Sequence, residues 1–133
     1  MCLEGARAVQ EAILSGFPQL DVAVSIGWTN MLPLDNRFTA RRAARTMPDP
    51  SVLHFHDPNK RAGRAVAASV GHAGKVGWDI YLFYAPGLEW GQGLPAPTRW
   101  AHQLDDAWAE RAMHHTGREL VDALRAAMQD RWD

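Results

Sequence analysis

Residues Ser51–Lys60 read SVLHFHDPNK. The run starts apolar and alternating, then changes character at Asp57-Pro58. Val52 to His56 fits a short strand, because alternating side chains suit a pleated surface. Asp57 can accept hydrogen bonds from the unpaired amides of a first helical turn. Pro58 suits the first helical position, where no amide hydrogen is needed. The spacing predicts a helix from Pro58 to about Val70, closed by Gly71. A strand that hands over to a helix is the repeating unit of an α/β sheet.

Downstream, VGWDIYLFY (Val76–Tyr84) is the strongest strand pattern in the chain. Val76, Trp78, Ile80, Leu82 and Tyr84 fall on one face, Tyr81 and Phe83 on the other. Pro86-Gly87 predicts a turn, with Leu88–Gly91 returning as a short antiparallel strand. Residues 92–103 read as loop, and a long helix is expected from Asp105 to Arg131, weakened at Gly117. Upstream, residues 4–15 read as a helix stopped by Gly16 and Pro18, residues 20–28 (LDVAVSIGW) as a strand, and residues 38–46 as a short basic helix. Strands alternating with helices predict an α/β fold with parallel pairs, since a parallel crossover needs a dozen or more residues. The two strand segments at 20–28 and 76–84 are expected side by side in one covered sheet, with the late hairpin as an antiparallel edge.

The chain has 133 residues, 47% of them hydrophobic and 22% charged, which fits one soluble domain over residues 1–133. A domain of this size buries roughly two thirds of its unfolded surface and needs no staple. Cys2 is the only cysteine, which excludes an internal disulfide. Glu4, Arg7 and Glu11 interrupt any secretory apolar core. No apolar run approaches the roughly 18 residues of a membrane helix. A cytoplasmic location without membrane contact is the resulting expectation. Charge is uneven: residues 37–75 hold eight cations against Asp49 and Asp57, whereas both flanks are net acidic. That division points to a protein or a small anionic ligand as partner, or to a homo-oligomer. A sequence pI near 6.6 speaks against a nucleic-acid partner. No cofactor is implied.

The order of elements resembles the thioredoxin-like fold. The residues that carry the likeness are the helix begun by MCLEGARAVQ, the strand LDVAVSIGW, and VGWDIYLFY with Pro86-Gly87 and LEWG as a hairpin before the last helix. Pro48 to Gly74 would be an inserted strand and helix. The resemblance implies a mixed sheet with helices on both faces, and single-cysteine thiol chemistry at Cys2. The family's second cysteine and its usual first strand have no counterpart, and Lys75, Val76 and Gly77 stand where it places a cis-proline.

Three candidate sites follow. Cys2, beside a helix start, would be a stabilised thiolate acting as catalytic nucleophile. His54 and His56 lie one strand period apart and would begin a metal site, if a third ligand joined them. Lys60, Arg61 and Arg64 crowd the first turn of a helix, where the dipole disfavours cations unless an anion is bound. The corresponding functions are a thioredoxin-like redox protein, a metal-binding protein, and a binding module with an anion site at residues 58–64.

Overall fold

A computed structural model describes residues 3–104 and 108–129. The chain opens with α1 (Leu3–Val9), which runs directly into one π-helical turn, Gln10–Leu14. Its wider winding ends where the Ser15 amide donates to the Gln10 carbonyl at 2.9 Å. β1 (Val24–Thr29), α2 (Arg37–Ala44), β2 (Val52–Asp57) and α3 (Arg61–Ser69) follow. Asn36 sets the start of α2: its side chain accepts from the Phe38 and Thr39 amides, and the Thr39 hydroxyl accepts from the Asn36 amide. That reciprocal cap satisfies amides that have no partner within the helix.

β1 and β2 pair in parallel, from Val24 opposite Val52 to Thr29 opposite Asp57. Alternation places Val24, Ile26, Trp28, Val52, His54 and His56 on one face. Ser25, Gly27, Thr29, Leu53, Phe55 and Asp57 share the other. The first face packs on Ala6 of α1 and on Ala40, Ala43 and Met47 at α2. Small alanines let both helices lie close to the strands, and Trp28 and Met47 fill the remaining space.

The second half is built around β3 (Ile80–Phe83), β4 (Arg99–His102) and α4 (Gly117–Gln129), with a 3-10 turn at Arg111–Met113. β3 and β4 are antiparallel, with Ile80 opposite His102. On α4, Leu120, Val121, Leu124 and Met128 recur at helical spacing. They pack against Ala8, Ala12, Ile13 and Phe83 in one buried cluster. α1 and its π-helical turn therefore serve both halves, with Ala6 turned toward the first and Ala8 and Ala12 toward the second. No helix among the described residues is long and apolar enough to cross a membrane.

The α/β class stands, but several details of the sequence reading are corrected. The single covered sheet is replaced by two two-stranded sheets, β1 with β2 and β3 with β4. The cause lies in the first half of Val76–Tyr84. The Gly77 amide donates to the Gly63 carbonyl at 2.7 Å, which holds this segment against α3. Asp79 then takes φ +52° and turns the chain into β3. The return strand is Arg99–His102 rather than Leu88–Gly91, so part of the presumed loop is strand. Pro95 and Pro97 cannot donate to a ladder. Pairing resumes only at Thr98, whose amide donates to the Phe83 carbonyl at 2.8 Å. α3 begins at Arg61 instead of Pro58. Of the expected long helix, residues 105–107 and 130–131 lie outside the described residues. The remainder is a 3-10 turn and α4, which opens at Gly117 with φ +53°, a conformation natural to glycine.

Candidate functional site

The C-terminal end of the β1–β2 pair gathers the polar groups. Asp57 is buried there, and one carboxylate oxygen accepts from the Arg61 amide at 2.8 Å. The other accepts from the Gly63 amide at 3.0 Å and from the Thr29 hydroxyl at 3.1 Å. The anion at the head of α3 is thus the chain's own carboxylate, projecting from the preceding strand. Pro58 and Asn59 form the turn that lets it reach, and Lys60 completes that turn at φ 59°. Left-handed backbone is uncommon for a lysine and stores local strain. The Asn30 amide donates to the Asp57 carbonyl at 3.2 Å, and His56 Nε2 donates to Asn30 Oδ1 at 2.8 Å. These bonds tie the loops after β1 and β2 together.

Lys60, Arg61 and Arg64 are therefore brought together on one turn, at one end of the parallel pair. Arg64 Nη1 donates to the Asn59 carbonyl at 2.9 Å, which steadies the turn. Asp57 and Thr29 project toward α3, so α3 and its cations stand on the face that carries Leu53 and Phe55.

His54 and His56 do share a face, on the register of Ile26 and Trp28. The His54 ring lies nearly parallel to Trp28, at 11° and 6.1 Å between centroids. Its Nδ1 accepts from the Trp28 indole N–H at 3.1 Å, and its Nε2 donates to the Met47 carbonyl at 3.2 Å. Both nitrogens are engaged within the fold. Among the described residues no group of three or more potential ligands surrounds this pair. Cys2 lies outside the described residues.

Two features escaped the sequence reading. The first is the open face of the β1–β2 pair. Leu53 and Phe55 are 56% and 57% exposed, beside exposed Ala23, Ser25 and Gly27 on β1 and its approach. α3 covers only the Thr29 end of this face, where a Cβ on Gly63 would lie 3.6 Å from Thr29 Cγ2. The signal was present: β2 is apolar at Val52 and also at Leu53 and Phe55, and a parallel strand apolar on both sides calls for cover on both. Asp21 and Asp49 each stand three residues before a strand, so both lie at the opposite, N-terminal end of the layer. Hydrogen bonds from the Ser51 hydroxyl at 2.7 Å and amide at 2.9 Å hold the Asp49 carboxyl below its ordinary range. Asp49 also borders a shallow surface recess lined by Ile13, Leu14, Phe17, Leu20 and Val22.

The second is His102, 1% exposed. Its Nδ1 accepts from the Leu104 amide at 3.0 Å, and its Nε2 donates to the Glu110 carbonyl at 2.7 Å. The backbone thus fixes the tautomer with the proton on Nε2. The ring acts as a bolt between β4 and the 3-10 turn, and the His115 amide donates to the His102 carbonyl at 2.9 Å.

No protein-family model, curated protein or solved structure matches this chain.

Proposed function

We propose that the chain is a binding module that takes an acidic, partly apolar partner across the open face of its β1–β2 layer. Apolar groups of the partner would cover Leu53 and Phe55. Its carboxylates would meet Lys60, Arg61 and Arg64 at the end of the same face. The observation that supports this most directly is the occupation of the first α3 amides by Asp57. The backbone charge at the helix end is already answered from within, so the cations there are left for an outside group. The strained turn at Lys60 fits a segment shaped for contact rather than for stability. Exposed apolar surface rimmed by charge is a common mark of a protein-binding site.

A synthetic peptide alternating leucine with glutamate tests the reading by titration calorimetry. Binding should weaken steeply between low and physiological salt, because exposed charges are screened over about 8–10 Å. Reversing Lys60, Arg61 and Arg64 to glutamate should abolish it. Absence of binding, or binding indifferent to the triple reversal, would exclude this function.

A further inference from the structure

The charges of the β1–β2 layer are arranged in line with its strands. Because the pair is parallel, both strands begin at one end and finish at the other. Asp21 and Asp49 precede the strands, and Lys60 and Arg61 follow them. Six strand residues separate the ends, a span of about 20 Å. Between them lie Leu53 and Phe55, more than half exposed. A surface that is acidic at one end, apolar in the middle and cationic at the other is complementary to itself when turned end for end.

From this we infer that the acidic partner is a second copy of the same chain, docked face to face about a two-fold axis. This inference rests on the binding-module reading and names its partner. The axis lies in the interface and runs across the strands near His54. Rotation about it stacks β2 on β2 and reverses strand direction. Phe55 of each copy then covers Leu53 of the other. Lys60 and Arg61 of each are brought to the end of the other layer that Asp21 and Asp49 precede.

The relief of the face agrees with this pairing. α3 stands on this face at the C-terminal end of the layer, beside Thr29 of β1 and Asp57 of β2. In the turned copy that ridge meets the start of β1, where Ala23 and Ser25 carry small side chains and are exposed. An added Cβ on Gly27, which falls opposite Ser25, would meet nothing within 4 Å, so the middle of β1 is low as well. Large residues on β2 meet each other, and the ridge meets a shelf. One patch serves both copies, as a closed two-fold dimer requires.

Sedimentation velocity over a wide concentration range, with charge-swapped variants, tests the dimer. Wild-type protein should pass from monomer toward dimer as concentration rises, and Phe55→Ser should remain monomeric. The set Lys60→Glu, Arg61→Glu, Arg64→Glu makes both ends acidic, and the pair Asp21→Lys, Asp49→Lys makes both ends cationic. Each variant alone should lose association at least tenfold. An equimolar mixture should regain it, because each acidic end then faces a cationic one. Far-ultraviolet circular dichroism confirms that each variant is folded. Should one set fail to fold, Asp21→Lys with Lys60→Glu, each tested alone and then mixed, carries the same comparison. A wild-type chain that stays monomeric throughout, or folded variants that do not associate when mixed, would overturn the dimer. The leucine–glutamate peptide separates the two levels. Peptide binding by a strictly monomeric chain overturns the second copy while leaving the module, whereas neither association nor peptide binding removes both.

Discussion

The two halves of the molecule use the same α1 helix and reach opposite results. Around α4, long aliphatic side chains close a core in which Leu120 and Leu124 are fully buried. Around β1 and β2, the covered face is filled mainly by alanines with Trp28 and Met47, and the other face leaves Leu53 and Phe55 in water. Hydrophobic stabilisation follows the apolar area withdrawn from solvent. The α4 half therefore holds the fold together, and the β1–β2 half offers surface.

The sharpest way to break this contrast is a pair of truncations. Leu124→Ala should lower the free energy of unfolding by about 2–5 kcal/mol, the usual cost of emptying a filled core site. Phe55→Ser should change it by no more than about 0.5 kcal/mol in dilute protein, as for other exposed positions. Urea titrations followed by tryptophan fluorescence measure both. Equal losses would erase the division.

Next in size is His102→Leu. The replacement strands the Leu104 amide and the Glu110 carbonyl without a ring nitrogen between them. Leaving a buried polar group unsatisfied costs about 1–3 kcal/mol. The Leu104 amide bears this in full and the carbonyl of the exposed Glu110 only in part. A loss of about 2–4 kcal/mol is therefore expected from the same titrations. A stable His102→Leu protein would show that water reaches these groups and that the bolt is dispensable.

Much of this was legible in the residues, and the misses have physical causes. Val52–His56 as a strand and a following helix were readable, because alternation and Asp-Pro chemistry are local. The first residue of α3 was misplaced because the carboxylate that answers its amides reaches forward from the strand, a geometry only the folded turn reveals. Val76–Tyr84 showed strand periodicity throughout, yet its first half is held by backbone contact with Gly63, a residue distant in sequence. The true partner of β3 lay past two prolines, where turn chemistry at Pro86-Gly87 had suggested an immediate return. Lys60, Arg61 and Arg64 were singled out by their crowding on one turn. Leu53 and Phe55 were not, because exposure is decided by what the fold leaves uncovered.

A smaller effect probes the joint between the halves. A Cβ on Gly63 would lie 2.8 Å from Val76 Cγ1 and 2.9 Å from the Gly77 carbonyl oxygen. The second neighbour is backbone and cannot swing aside. Gly63→Ala should cost about 1–3 kcal/mol through overpacking. Lys60→Gly, three residues earlier, should act the other way and gain up to about 1 kcal/mol by relieving the left-handed turn. Thermal melts of the two variants should move in opposite directions. A shared direction would mean that this turn is not strained.

The smallest expected effect is a pH dependence confined to the open half. Partial burial pushes the Asp35 carboxyl up, but hydrogen bonds from the Leu32 amide at 2.8 Å and the Met31 amide at 2.9 Å outweigh it, so the folded value lies below the ordinary one. Asp49 is lowered in the same sense by Ser51. A depressed folded pKa means that the unfolded chain takes up protons first as pH falls. Both groups then contribute stability above about pH 4 and lose it as the pH drops through their folded values. Both are close to solvent, and screening keeps the effect well below that of Gly63→Ala. Asn at position 35 still offers an oxygen to the two amides but does not titrate. Asp35→Asn should therefore retain most of the stability near neutral pH while flattening the acid slope of the urea midpoint. A slope as steep as that of wild-type protein would show that carboxylates other than Asp35 govern acid unfolding.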